Sequence, residues 1–234
     1  MEPLAALAAD PAAAALFFDV DGTLAPIVAQ PEDARVPDAT RSELRRLAAR
    51  YGLVACVTGR TGDVARAIVG VPELTYVGEH GLELDPAAEA WRERIRSFGA
   101  RATWPVEEKP LSAAFHYRTA PDREAAKRDL EEVEADARAE GFRTLWGRLV
   151  LEVLPPVEAS KRTAVEHLLT RTSLRRALYA GDDTTDLDAF AALDGLELAV
   201  RVAIASAEAP VALRERADVV LDSPAALAGL LAQL

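Results

Sequence analysis

Short apolar runs alternate with segments of helical period at both ends of the chain, and this alternation is what most narrows the possible folds. Leu16-Phe17-Phe18-Asp19-Val20 runs without a break into a polar turn, and Leu53-Val54-Ala55-Cys56-Val57 and Leu74–Val77 are similar short runs. Such runs, apolar at consecutive positions, fit strands covered on both faces. Between them, Thr40-Arg41-Ser42-Glu43 reads as a capping box with Leu44, Leu47, Ala48 and Tyr51 at helical spacing behind it. Gly52 is expected to end that helix. A second helix is marked by Val64, Ala65, Ile68 and Val69. Strand, helix, strand, helix, strand calls for a parallel sheet with helices on its faces, an α/β doubly wound core.

The pattern changes in the middle of the chain. Pro105–Thr119 and Arg143–Leu154 carry alternating strand signals, and Pro121–Ala139 between them reads as a long helix capped by Asp122. The doubly wound pattern then resumes with a helix over Lys161–Thr170, a strand over Ala177–Ala180, a helix over Leu187–Leu193, and strands over Leu196–Val202 and Val219–Leu221. Ser223-Pro224 supplies an N-cap and a first-turn proline for a last helix. A length of 234 residues suits one core plus an insertion. The expected organisation is a core from 1–82 and 158–234 with an α+β domain inserted at 83–157.

A net charge of −11 and a pI near 4.9 set the chain against polyanions, so no nucleic acid is expected as a partner. The one cysteine, Cys56, lies in an apolar strand and reads as a buried, inert thiol. The alanine-rich N-terminus has no basic leader and is broken by Asp10 and Pro11, which fits neither a signal peptide nor a membrane span. These features together predict a cytoplasmic protein, taken as a monomer, with no membrane association.

Ligands of open α/β sheets bind beyond the carboxyl ends of the strands. Four polar sets fall there. In Asp19-Val20-Asp21-Gly22-Thr23-Leu24 two carboxylates stand two residues apart as a strand opens into a loop. One can attack phosphorus and the other can give and take a proton; an acidic turn is the bland alternative. Thr58-Gly59-Arg60 offers a hydroxyl and a helix start to a phosphoryl group, or is simply a turn. Lys161 opens a helix, where the macrodipole disfavours a cation, so a task in neutralising phosphate and Asp19 competes with a plain surface charge. Gly181-Asp182-Asp183-Thr184-Thr185-Asp186 gathers three acids in a short loop. Their mutual repulsion would be relieved by a hard divalent cation such as Mg²⁺, while acids at a helix start also serve as caps.

Taken in order, these four sets resemble the signature motifs of the haloacid dehalogenase superfamily of phosphatases. Gly78-Glu79-His80-Gly81, Phe115-His116-Tyr117-Arg118 and the run from Asp186 to Phe190 make the chain look most like its trehalose-6-phosphate phosphatases. The resemblance implies a superfamily core with an inserted C2-type cap that closes over the sugar. It implies Asp19 as nucleophile and Asp21 as acid/base, with Thr58 and Lys161 holding the phosphoryl group. It further implies Mg²⁺ on Asp19, the Asp21 carbonyl and Asp182, supported by Asp183 and Asp186. Substrate contacts are expected from Gly59, Arg60 and His80, and from the cap residues Glu107, Lys109, His116, Arg118, Arg148 and Glu152. Ser160 and Arg162 beside Lys161, Leu154, Leu187 and Arg148 depart from the family pattern, which leaves room for another sugar phosphate, such as mannosyl-3-phosphoglycerate or sucrose-6-phosphate, or for a sugar phosphomutase.

Overall fold

The computed structural model describes residues 3–28, 30–147, 149–205 and 209–234. Among them are ten strands: β1 (Ala14–Phe18), β2 (Leu53–Val57), β3 (Thr75–Val77), β4 (Glu107–Glu108), β5 (Ala113–His116), β6 (Arg143–Gly147), β7 (Val150–Leu154), β8 (Arg176–Gly181), β9 (Leu198–Ile204) and β10 (Val219–Leu221). The chain divides into two compact units, one made of Met1–Gly81 with Ala159–Leu234 and the other of Leu82–Glu158.

The first unit holds a six-stranded sheet in the order β10-β9-β8-β1-β2-β3, with every neighbouring pair parallel. All five residues of β1 are buried, as expected of a strand with helices on both sides. Alternate side chains face opposite layers. Leu16, Phe18, Val54, Cys56, Leu178 and Val200 pack with Leu44 and Leu47 of the helix Asp38–Ala48 and with Leu227 and Leu231 of the helix Pro224–Leu231. Each such side chain contributes roughly 1.5–3 kcal/mol by leaving water. On the other layer Tyr179 meets Phe190 edge-on, with ring centroids 6.0 Å apart.

From β1 the chain runs outward one way through β2 and β3, and later the other way from β8 through β9 to β10. The order therefore reverses between β1 and β8. That is the crevice where an open sheet accommodates a ligand, beyond the carboxyl ends of the strands.

The second unit is an antiparallel sheet, β4-β5-β7-β6, covered by the helices Arg92–Arg101 and Arg123–Ala139. Ile95, Phe98, Phe115, Leu130, Val133, Phe142, Leu151 and Val153 form its core. Asp122 caps the longer helix by accepting from the Ala125 N–H at 2.9 Å. No described helix is long and apolar enough to cross a membrane.

Several local expectations are corrected. The helix assigned to a Thr40–Glu43 capping box begins at Asp38 with Pro37 as N-cap, and Thr40 is a buried residue of its first turn. Pro37 fixes φ for the entry, and its side chain makes no cap bond. The same helix ends at Ala48, and Gly52 lies beyond it, donating its N–H to the Pro11 carbonyl at 3.1 Å. The helix expected from Leu187 starts at Thr184, because Asp183 caps it. Ser223 occupies the N-cap position of the last helix but makes no cap bond; its hydroxyl lies 3.1 Å from Asp222 Oδ1. The alanine-rich N-terminal run is helical over Pro3–Ala9, as its composition suggests, whereas the helices Pro86–Glu89, Arg92–Arg101 and Val211–Arg216 carry no expectation above.

Candidate active site

Asp19 follows β1, Thr58 follows β2 and Asp182 follows β8, so each stands at the carboxyl end of a parallel strand, and all three are buried. The helix Lys161–Thr172 precedes β8 and packs against β2 and the helix Thr184–Ala191, with its N-terminus at the same edge of the sheet as Asp19. Ser160 and Thr163 form a reciprocal capping box there. Topology thus gathers residues 142 positions apart into one cluster.

Lys161 is at the centre of that cluster. Its Nζ donates to Asp19 Oδ1 and to Asp186 Oδ1, both at 2.7 Å, and all three side chains are buried. Burial alone would lower the Lys161 ammonium, but Asp186 and Asp19 outweigh it and hold the group well above the usual lysine range. Burial pushes the Asp19 carboxyl up to about 7, with Lys161 pulling it back and Asp186 adding repulsion. Asp182 is pushed further, to about 9, by burial and then by the Asp19 and Asp186 charges.

Asp186 is the anchor. Oδ1 accepts from Lys161 and from the Tyr179 hydroxyl at 2.7 Å, and Oδ2 accepts from the Asp182 and Asp183 N–H groups at 2.9 Å. Those bonds use the capacity of a carboxylate. The carboxylate oxygens of Asp19, Asp182 and Asp186 lie within 4.8 Å of one another. With Asp186 saturated by protein donors, Asp19 and Asp182 are the carboxylates suited to hold a cation, and Asp186 keeps the loop in shape. Asp183 turns instead to the helix, accepting from the Thr184 N–H at 2.7 Å.

Gly22 permits the approach of the two ends of the chain. Its φ is +86°, and a Cβ there would come within 2.1 Å of Asp182 Oδ2. Thr23 Oγ1 stands 3.5 Å from Asp182 Oδ1, at the outer limit of a hydrogen bond.

Arg60 has its fork on a protein carboxylate. Its Nε donates to Asp21 Oδ2 at 2.6 Å and its Nη2 to Asp21 Oδ1 at 2.7 Å. Thr58 Oγ1 accepts from the Arg60 N–H at 3.2 Å. The loop after β3 ties into this segment: the Glu79 N–H donates to Arg60 O at 2.8 Å and the His80 N–H to Thr58 O at 2.9 Å. Glu79 and His80 both adopt left-handed backbone, with φ of 48° and 55°, a costly geometry that collects at functional sites. The His80 ring lies against Gly59, with Nε2 2.6 Å from where a Cβ would stand.

In the second unit the sheet has two chemically different faces. Phe115, Leu151 and Val153 point into the core, whereas register places Glu107 and Glu152 opposite Ala114 on the other face, with His116 two residues along. Lys109 Nζ donates to Glu152 Oε1 at 2.7 Å with both side chains over nine-tenths covered. His116 Nε2 and Glu107 Oε2 pair at 2.7 Å in the open. Arg118 lies just past β5, and Arg148 falls outside the described residues. Tyr179 escaped sequence reasoning. Its only signal was a hydroxyl within an apolar strand, which requires a buried partner.

The chain matches the trehalose-phosphatase family over residues 17–105 and 104–224. It is 39% identical over 210 residues to the trehalose-phosphate phosphatase of Mycobacterium avium (strain 104), covering 77% of this chain and 51% of that protein. It is 33% identical over 225 residues to a probable trehalose-phosphate phosphatase of Sinorhizobium fredii, covering 88% and 84%. The chain thus spans about half the length of several curated relatives. Among solved structures, the C-terminal domain of the C. albicans trehalose-6-phosphate phosphatase superposes with a TM-score of 0.79 at 22% identity, covering 98% of this chain and 93% of that one, a likeness of fold.

Proposed function

We propose, from the premise that this chain belongs to the trehalose-phosphatase family, that it hydrolyses a phosphorylated sugar, trehalose-6-phosphate, to sugar and phosphate through an aspartyl-phosphate on Asp19. The observation that carries this reading is the charge of the buried cluster. With all three acids ionised, Asp19, Asp182 and Asp186 against Lys161 would carry two negative charges in a covered site, the charge that one divalent cation offsets. An all-oxygen donor set beside a phosphate site suits Mg²⁺, held by the Asp19 and Asp182 carboxylates with the Asp21 carbonyl. When bound, that ion would supply countercharge to both carboxylates and to the phosphoryl group.

The chain's own residues do the rest. Lys161 keeps one Asp19 oxygen fixed, so the other is the one presented to phosphorus. As the Asp19 O–P bond forms, the P–O bond to the sugar breaks, and protonated Asp21 passes its proton to the departing sugar oxygen. Asp21, now a carboxylate, then takes a proton from the water that attacks phosphorus. The Asp19–P bond breaks and phosphate leaves, with Asp21 protonated again. Thr58 offers its hydroxyl to the phosphoryl group. The charged face of the inserted unit, with Glu107, Lys109, His116, Arg118 and Glu152, supports a role for this unit in reading sugar hydroxyls, and Arg148 belongs to the same assignment.

The test is phosphate release from a panel of sugar phosphates with added Mg²⁺. Trehalose-6-phosphate should be preferred, and Asp19→Asn should abolish release while the protein still melts cooperatively. Undiminished turnover in that variant would remove the nucleophile assignment.

A further inference from the structure

We propose that Arg60 is a positioning residue for the acid/base Asp21, rather than a contact for the substrate; the inference rests on the proton-transfer role given to Asp21 above. Both Asp21 carboxylate oxygens are engaged by one planar fork, at 2.6 and 2.7 Å. Two parallel bonds fix a carboxylate in rotation as well as in place, which a single bond or a lysine cannot do. The fork is itself braced. Arg60 Nη1 donates to the Pro31 carbonyl at 3.1 Å, its backbone N–H is held by Thr58 Oγ1 at 3.2 Å, and its carbonyl accepts from Glu79 at 2.8 Å. A guanidinium tied to two segments, on a residue whose backbone is held by two more bonds, is a fixed template. Asp21 needs one, because it stands in a loop and its side chain is 31% exposed, against 7% for Asp19. Without the template its carboxyl would sample several rotamers, and few of them would point at the leaving oxygen.

The observed pair holds Asp21 as a carboxylate; the step that Arg60 serves is proton delivery once Asp21 has taken a proton on an oxygen lone pair that the fork leaves open. As phosphorus passes from the sugar oxygen to Asp19, the Asp21 proton goes to the sugar oxygen. A poor alkoxide leaving group depends on that proton, and a nitrophenolate, stable as an anion, depends on it little. A phosphate-binding arginine would behave differently, since both esters carry the same phosphate.

The experiment measures kcat/KM, which reports the first irreversible step, at saturating Mg²⁺ for trehalose-6-phosphate and for p-nitrophenyl phosphate. Wild type, Arg60→Ala, Arg60→Lys, Asp21→Asn and Arg60→Ala/Asp21→Asn are compared, with thermal melts as the folding control. Arg60→Ala is expected to lose about 10²- to 10³-fold on the sugar ester and less than about 10-fold on the aryl ester. Arg60→Lys should fall between Arg60→Ala and wild type. In the Asp21→Asn background, removing Arg60 should add less than about 3-fold, since residues acting as a unit are not additive. Guanidinium ion should restore part of the rate in Arg60→Ala and none in the double variant. Equal losses on the two esters, or losses that multiply with Asp21→Asn, would overturn the proposal. Full activity of Asp21→Asn on the sugar ester would instead overturn the acid/base role beneath it, and the inference with it.

Discussion

Asp186 offers the most direct test of how the site is built. Its carboxylate receives Lys161, the Tyr179 hydroxyl and two backbone N–H groups, and it is fully buried. In Asp186→Asn one amide oxygen can still accept from the Asp182 and Asp183 N–H groups. The amide nitrogen then faces Lys161 and Tyr179 where an anion stood, and Lys161 is left with Asp19 alone. Removing one partner of a buried ion pair costs about 3–5 kcal/mol. Asp186→Ala also strands the tyrosine hydroxyl and both N–H groups, each worth about 1–3 kcal/mol if water cannot reach it. It should therefore be the more damaging change. For a protein of this size 1 kcal/mol moves Tm by about 2–4 °C, so Asp186→Asn should lower Tm by about 6–20 °C. Differential scanning calorimetry at neutral pH checks it, with phosphate release measured well below the transition, where the rate should also fall as Lys161 shifts toward Asp19. A drop of less than about 3 °C, on the same conversion, would refute the claim that Asp186 is the anchor and leave it as one acid among several.

Two further perturbations address the charge and the close approach. Burial raises the folded-state pKa of Asp19 to about 7 and of Asp182 to about 9. In the unfolded chain both groups ionise near an ordinary aspartate value of about 3.9. The protonated fold is thus favoured at acid pH, and metal-free stability should fall as pH rises from about 4 through those two values. Urea midpoints with EDTA should be lower at pH 9 than at pH 5, and Mg²⁺ should remove most of the difference; a midpoint that rises with pH in EDTA would contradict the shifts. Gly22→Ala adds a Cβ at φ +86° within 2.1 Å of Asp182 Oδ2. A left-handed alanine costs roughly 1–2 kcal/mol, and the clash must move Asp182, so Mg²⁺ should stabilise the variant far less than wild type in the same melts; equal Mg²⁺ stabilisation would show that the approach is not needed.

The strands of the parallel sheet were legible because most are short apolar runs with helices on both faces, and Leu16–Phe18 could hardly be placed elsewhere. Helix boundaries were less so. Glu43 three residues after Thr40 mimics a capping box, but the turn is already made by Pro37, and the burial of Thr40 shows that tertiary packing set the start. Asp19, Lys161 and Asp182 could be read one by one from their places at strand and helix ends. Their pairings could not: Arg60 and Asp21 are 39 residues apart, and a guanidinium near a phosphate motif suits a phosphate as well as a carboxylate. In the inserted unit, alternation hinted at a charged face, yet the Lys109–Glu152 pair depends on the register of β5 against β4 and β7.

For the acidic loop, a helix cap and a reactive site turn out not to be competing readings, because one set of atoms does both. Asp183 and Asp186 form the reciprocal cap of the helix Thr184–Ala191, and the same Asp186 carboxylate holds Lys161. Asp186 gains from the positive end of its own helix, whereas Lys161 sits at the positive end of another, where a cation is disfavoured. The carboxylates of Asp19 and Asp186 offset that misfit, so the lysine depends on both partners for its place. Fold and chemistry are therefore coupled through Asp186, and no substitution there can lower one alone. Arg60 is the contrasting case. Its pair with Asp21 is partly open to solvent, where an ion pair adds on the order of 1 kcal/mol or less, yet it aims the proton donor. Loss of rate with little loss of stability is thus expected at Arg60, and loss of both together at Asp186, a difference that follows from where each charge meets water.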